Sequence, residues 1–378
     1  MLMQTHLMAQ RSPHSSMQAR LALVVAALAF CLSAGLTDAA AETKPPSQTP
    51  EREQLTIATE QTMKPWTGDL DAMVERRVIR ILTVYSKTFY YVDKGVQRGS
   101  SYDMGRLFVD DLNKKLAKDN KQKLKHLKVH AVFIPVDRGE LLQALVTGKG
   151  DIVMSSFGVT EERQRLVDFS SPVLLNVSEV MVSGPGSSAL SDVDDLSGKE
   201  VFVRRSSTYY ESLVALNRRF ATEKKPAVII KEVPETLEDE DLIEMVNAGL
   251  IPLTVSADFM ANFWKQVFPK ITVHDGITLR TDGNIAWAIR KDSPQLKAAA
   301  DDFVARHAKG TAIGNQIMAR YFKSAKYVKD AASEAERKKF LALIDYFKKY
   351  GDRYDVDWLR ISAHRGRRFR LIADGISA

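Results

Sequence analysis

The sequence predicts an α/β fold of two similar lobes with a cleft between them. Strand and helix patterns alternate from Val78 onward, the alternation starts afresh after Gly184, and the two sets are joined by short crossings. Strands alternating with helices assemble as parallel layers. Open sheets of that kind, and clefts between lobes, bind small molecules beyond the carboxyl ends of the strands.

The first set opens with the apolar strand 78–84 (VIRILTV). In 102–116, Met104, Leu107, Phe108, Leu112 and Leu116 recur at helical spacing. A strand over 127–134, a helix over 138–147 closed by Gly148, and a strand over 151–155 complete it. The second set reads as strand 200–203, helix 209–220, strand 228–231, helix 237–248 stopped by Gly249, and strand 251–255. Strand 285–290 (IAWAIR) and an amphipathic helix over 294–307 follow. The acidic run 232–244 reads as a solvated helix N-terminus.

With 378 residues, the chain has room for two or three domains at ~150 residues each. Apolar residues at 45% and charged residues at 27% are a globular balance, and the net charge of +7 comes from no single basic block. The single cysteine, Cys31, excludes a disulfide framework, a cysteine zinc site and a CxxC redox motif. His126 and His130 form an HxxxH, but on a strand four residues span roughly 13 Å, too far to share a metal. There is no P-loop, GxGxxG or HExxH motif, so neither metal nor cofactor is expected.

The N-terminus reads as an address. Arg11 and Arg20 precede an apolar run over 21–36, and Ala39, Ala40 and Ala41 follow. That is the layout of a cleaved secretory signal over 1–41, so an exported protein is expected. A membrane anchor is the alternative, although the run is shorter than the ~20 residues of a spanning helix. Met17 offers a second start, and lipidation at Cys31 would put Phe30 where a small residue is wanted. Residues 42–68, rich in Pro, Thr, Gln and Glu, read as a linker.

The chemistry concentrates in 150–172 (GDIVMSSFGVTEERQRLVDFSSP). A strand ends in a turn of small residues, and Thr160 is a good N-cap for a helix opening with Glu161 and Glu162. Arg163 then sits where a guanidinium can grip a carboxylate with two parallel hydrogen bonds.

These residues, with 99–103 (GSSYD), 141–151 (LLQALVTGKGD), 196–203 (LSGKEVFV) followed by Ser206, Ser207 and Thr208, and 289–296 (IRKDSPQL), resemble the family 3 extracellular solute-binding proteins. The resemblance implies a two-lobed periplasmic-binding-protein (type II) fold over 69–325. Lobe 1 would occupy about 78–181 and 276–325, and lobe 2 about 182–275. It implies that Arg163 binds a ligand carboxylate beside Ser156 and Gly158, where the family often carries a hydroxyl in place of Gly158. Ser206, Ser207 and Thr208 would form the anion-binding turn of lobe 2. Tyr85, Phe89 and Tyr90 would lie near the ligand side chain, and Asp258 would pair with a ligand ammonium.

A further resemblance, to the membrane-bound lytic transglycosylase F family, rests on 66–71 (WTGDLD), 138–145 (RGELLQAL), 204–213 (RRSSTYYESL), 237–249 (LEDEDLIEMVNAG) and 347–359 (FKKYGDRYDVDWL). In that family a solute-binding module precedes a catalytic domain whose glutamate protonates the glycan's glycosidic oxygen. Here 326–363 looks like a helical stub of that domain. The tail 364–378 (HRGRRFRLIADGISA) replaces the glutamate-serine motif, so no catalytic residue is expected. The expected function is a non-catalytic periplasmic sensor, most simply a monomer, with a small carboxylate ligand: an amino acid or a peptidoglycan-derived peptide. Contact with peptidoglycan or the outer membrane is compatible with this, and nucleic acid is not an expected partner. A transglycosylase shortened by truncation or frame error, and a transporter's amino-acid delivery protein, are the alternatives.

Overall fold

The computed structural model describes residues 64–325, apart from 94 and 120–127, together with Val328. The expected signal sequence, most of the linker, His126, the helices beyond 332 and the basic tail lie outside the described residues.

In chain order the elements are α1 (Leu70–Glu75), β1 (Val78–Thr83), the hairpin β2 (Tyr91–Asp93) and β3 (Val96–Arg98), α2 (Ser100–Lys118), β4 (His130–Pro135), α3 (Leu141–Val146), β5 (Ile152–Val153), α4 (Glu161–Leu166) and β6 (Asp168–Phe169). Then come β7 (Leu174–Ser183), β8 (Glu200–Arg204), α5 (Thr208–Thr222), β9 (Ile229–Val233), α6 (Asp239–Asn247), β10 (Leu253–Ala257), α7 (Asp258–Lys265), β11 (Thr272–Ile285), β12 (Ala288–Ile289), α8 (Pro294–His307) and α9 (Ala312–Phe322).

Two five-stranded sheets share one plan. In the first, ordered β4-β1-β5-β12-β6, β1 runs parallel to β4 and β5, and β12 is antiparallel to its neighbours β5 and β6. In the second, ordered β9-β8-β10-β7-β11, β8 runs parallel to β9 and β10, and β7 is antiparallel to β10 and β11. Each lobe therefore takes its antiparallel strand from a segment that has just crossed from the other. The crossings fall at 170–173 and 286–287, so the lobe limits expected at 182 and 275 lie inside β7 and β11.

Every residue of β1 is buried, which is why it reads as a continuous apolar run rather than an alternation. Its one charge, Arg80, is neutralised by the equally buried Asp151. Arg80 also donates to the carbonyls of Lys64 and Trp66, while Arg76 stacks 3.7 Å from the Trp66 ring centroid. Residues 64–68, assigned by composition to a linker, are thus strapped to lobe 1 by arginine–carbonyl bonds. Asp69 adds to this by accepting from Leu296 N at the start of α8.

One apolar cluster, with Ile79, Ile81, Phe108, Trp287 and Phe303, fills lobe 1, and another, with Val201, Val203, Leu213 and Phe220, fills lobe 2. A third runs through the seam, from Leu82, Leu145 and Phe157 to Val177, Phe263 and Trp264. The seam is therefore bordered by packed core on both sides.

Candidate ligand-binding site between the lobes

β5 delivers the chain into the turn 154–159, and Thr160 then caps α4 by accepting from Arg163 N at 3.3 Å. The cap fixes the first turn of the helix and so places Arg163 at the seam. Only 7% of Arg163 is exposed. Its Nη1 donates to Gly158 O at 2.7 Å, and its Nη2 donates at 2.7 Å to Ser206 O of the opposite lobe. The guanidinium carbon stands 4.2 Å from the Phe157 ring centroid. Among the described residues no carboxylate comes within ion-pairing distance of it.

Burial lowers the pKa of Arg163 to about 10; Glu211 opposes this, and Arg138 and Arg280 add to it. The group is still a cation at neutral pH. A buried cation whose hydrogen bonds go to carbonyls and whose face lies on an aromatic ring can still take a direct anionic partner.

Gly158 lies close to lobe 2: a Cβ there would stand 3.0 Å from Thr208 Cγ2. The small residue, where the family often has a hydroxyl, lets the lobes approach. On the far side, Ser206 donates through its N–H to Glu235 Oε1 at 3.0 Å, and its hydroxyl donates to Glu235 Oε2. Ser207 is the N-cap of α5, accepting from Tyr210 N at 3.2 Å and donating to Arg204 O. Thr208 begins the helix and hydrogen-bonds Glu179. Burial raises the pKa of Glu179, against the pull of Ser212 and Thr208.

The structure thus brings Arg163, Gly158 and Ser206 into direct contact and places Thr208 beside Gly158. Ser156 and Phe89 line an adjoining, mainly apolar cavity of about 100 Å³ with Met104, Phe259, Trp287 and Phe322. Tyr90 is 4% exposed and stacks on Phe133, 5.7 Å between centroids, so its ring packs within lobe 1. Burial, with Tyr85 and Tyr102 nearby, pushes its hydroxyl up to about 12. Tyr85 is half exposed, its ring 5.6 Å from that of Tyr90. Asp258 accepts from Phe259 N in its own helix at 2.8 Å, and no hydrogen bond joins it to Arg163.

A second arginine at the seam escaped sequence reasoning. Arg138 follows β4, and its Nη2 donates to Glu238 Oε2 at 2.6 Å while its Nε lies 3.1 Å from each Glu238 oxygen. Its Nη1 donates to Ser156 O at 2.9 Å. Glu238 is the N-cap residue of α6 in lobe 2. The acidic run 232–244 is therefore no solvated helix end: Glu238 and Glu240 are buried because lobe 1 supplies partners for them. Among the described residues, no cluster of three or more His, Cys, Asp or Glu side chains suits a metal ion. Nor is any described helix long and apolar enough to cross a membrane.

The family model for bacterial extracellular solute-binding proteins, family 3, matches residues 79–324. Membrane-bound lytic murein transglycosylase F of Aeromonas hydrophila subsp. hydrophila is 28% identical over 239 residues, covering 63% of this chain and 43% of that protein. The same-named protein of Pseudomonas putida is 25% identical over 299 residues, covering 78% and 57%. The chain spans about half the length of these relatives. Among solved structures, an amino acid ABC transporter substrate-binding protein from Streptococcus pneumoniae, bound to L-arginine, aligns with a TM-score of 0.52 at 18% identity. That alignment covers 67% of this chain and 98% of that one. A putative L-cystine ABC transporter protein from Listeria monocytogenes aligns with a TM-score of 0.53 at 18% identity, covering 65% and 96%. The fold is the two-lobed type II periplasmic-binding-protein fold.

Proposed function

Because this chain belongs to the bacterial extracellular solute-binding proteins, family 3, we propose that it binds a small carboxylate ligand between its lobes and acts as a sensor module in the cell envelope. One observation carries the reading: Arg163 is a buried guanidinium at the seam, bonded to a carbonyl of each lobe and, among the described residues, to no carboxylate. A ligand carboxylate gives it the anionic partner it lacks, with the N-terminal end of α5, which begins at Thr208, on the side of the second lobe. Ligand and lobes then favour one arrangement, and the ligand shifts the population only as far as it prefers that arrangement.

The likeness to transglycosylase F supports a role in which this module informs an enzyme acting on peptidoglycan, with amino acids or stem peptides as ligands. Delivery to a transporter is the second reading, supported by the names of the structural neighbours. A permease that co-purifies with the ligand-loaded protein favours delivery, and its absence with ligand bound favours sensing.

The test is a thermal-shift and calorimetric screen with amino acids and stem peptides, with Arg163→Ala alongside. Binding in the parent should fall by about 100-fold in the variant, the scale of losing a charge-assisted bidentate contact. A ligand held equally well by Arg163→Ala would remove Arg163 from the site and sink the reading.

A further inference from the structure

We infer that closing the two lobes takes up one proton, carried by the side chain of Glu240, so that the protein responds to acidity as well as to a ligand. The inference goes beyond the carboxylate reading of Arg163 and does not depend on it.

Glu240 stands in the first turn of α6 in lobe 2, and the loop after β1 in lobe 1 meets it there. Oε1 accepts from Lys87 N at 2.7 Å, and Ser86 of the same loop also hydrogen-bonds the carboxyl. No part of the residue is exposed. Oε2 is sealed from the surface and, among the described residues, meets no hydrogen-bond donor. A charged carboxylate with one oxygen dry and unpaired is costly to bury, and a protonated carboxyl is much less so.

The charges around it leave it no counter-ion. Glu238, Asp239, Asp241 and Glu244 share its end of the helix, and Arg138, Arg204 and Lys87 come to meet them. Arg138 of lobe 1 pairs with Glu238, and Arg204 pairs with Asp239. Lys87 Nζ stands 3.4 Å from Glu244 and 3.9 Å from Asp241. On α7, beside α6, the uncharged Trp264 ring lies 5.9 Å from the same Nζ. Among the described residues, Glu240 is the acid of this group with no cation in ion-pairing distance. Burial, then Asp241 and Glu238, accordingly raise its pKa to about 7, against Lys87 and Ser86.

Parting the lobes would take away Lys87 and Ser86 and admit water to both oxygens. The carboxyl would then return toward its ordinary value of 4.5. The closed arrangement, with the lobes in contact as here, therefore holds a proton over a pH range in which the open one does not. The raised value belongs to the closed arrangement, so acid favours closure, and the preference fades as pH rises through about 7. A ligand that prefers the closed arrangement would inherit the same preference for acid.

The experiment follows the lobes of the full chain without ligand. Nitroxide labels at Lys114→Cys on α2 and Arg218→Cys on α5, both exposed positions, report the distance between the lobes in a Cys31→Ser background. As pH falls from 8 to 5 the closed distance should gain population, with the closed-to-open ratio rising at least about tenfold. Glu240→Gln, neutral at every pH, should show at pH 8 the distribution that the parent reaches at pH 5, and should not change with pH. Glu244→Gln removes a neighbouring acid and leaves Glu240 in place, so it should keep the pH response. Melting transitions check that each variant folds. A parental distribution that stays fixed between pH 8 and pH 5, or a pH response that persists in Glu240→Gln, would overturn the inference. Because no ligand enters the experiment, either result leaves the carboxylate reading of Arg163 standing.

Discussion

Glu240 lies wholly buried at the start of α6, with Oε1 accepting from the N–H of Lys87 in the other lobe at 2.7 Å. Among the described residues its Oε2 has no hydrogen-bond partner. Burial, then Asp241 and Glu238, raise its pKa from 4.5 to about 7, against Lys87 and Ser86. The pKa in the folded protein exceeds that in the unfolded chain, so the protonated form stabilises the fold. That stabilisation is complete below about pH 4.5 and is lost as pH rises through about 7. Glu240→Gln, permanently neutral and of the same shape, should match the parent near pH 4. It should exceed the parent at pH 8 by on the order of 3 kcal/mol in denaturant unfolding. An equal difference at both pH values would mean that Glu240 does not titrate in this window.

The helices that present the site depend on their caps. Ser207 caps α5 and stands directly after the carbonyl that Arg163 holds, so the cap and the proposed ligand site share a turn. Ser207→Ala should cost about 1 kcal/mol of stability. It should also weaken ligand binding several-fold, because the turn carrying Ser206 O loses its anchor on Arg204 O. Unfolding and calorimetry on the same preparation check both, and a stability loss without an affinity loss would separate the cap from the site.

This turn was legible in the sequence because cap and helix are neighbours, as are Thr160 and Arg163. The helix α8, with Pro294 at its first position, was legible for the same reason. β11 was not. His274, Asp275, Gly276, Asp282 and Gly283 interrupt it, and its pairing with β7 shifts register repeatedly, so no period of two survives. Arg138 and Glu238 stand 100 residues apart, beyond any local window. The same distance made an acidic run look solvated when its cations arrive from other elements.

At the scale of the whole molecule, the lobes are held by more than the two crossings. Phe322 ends α9 and sets its ring 6.0 Å from that of Phe89 in lobe 1. On the lobe 2 side it lies 5.3 Å from Phe259 and 6.2 Å from Phe263. The chain leaving the binding module is thereby packed onto both lobes, next to the seam that carries Arg138 and Arg163. Aromatic contacts of this kind are lost when the partners separate, so opening must disrupt this cluster. Phe322→Ala should therefore act on domain motion as well as on stability. The half-buried ring predicts a loss of about 2 kcal/mol, below the 3–5 kcal/mol of a fully buried phenylalanine. Small-angle scattering should show a larger radius of gyration for the variant, because removing the bridge leaves the open arrangement less opposed. A ligand that closes the lobes should reverse that increase and should bind more weakly, since part of its binding energy now does what Phe322 did. A variant with lowered stability but parental dimensions and affinity would confine Phe322 to packing, and the seam would then rest on the Arg138–Glu238 pair and the Arg163 bridge.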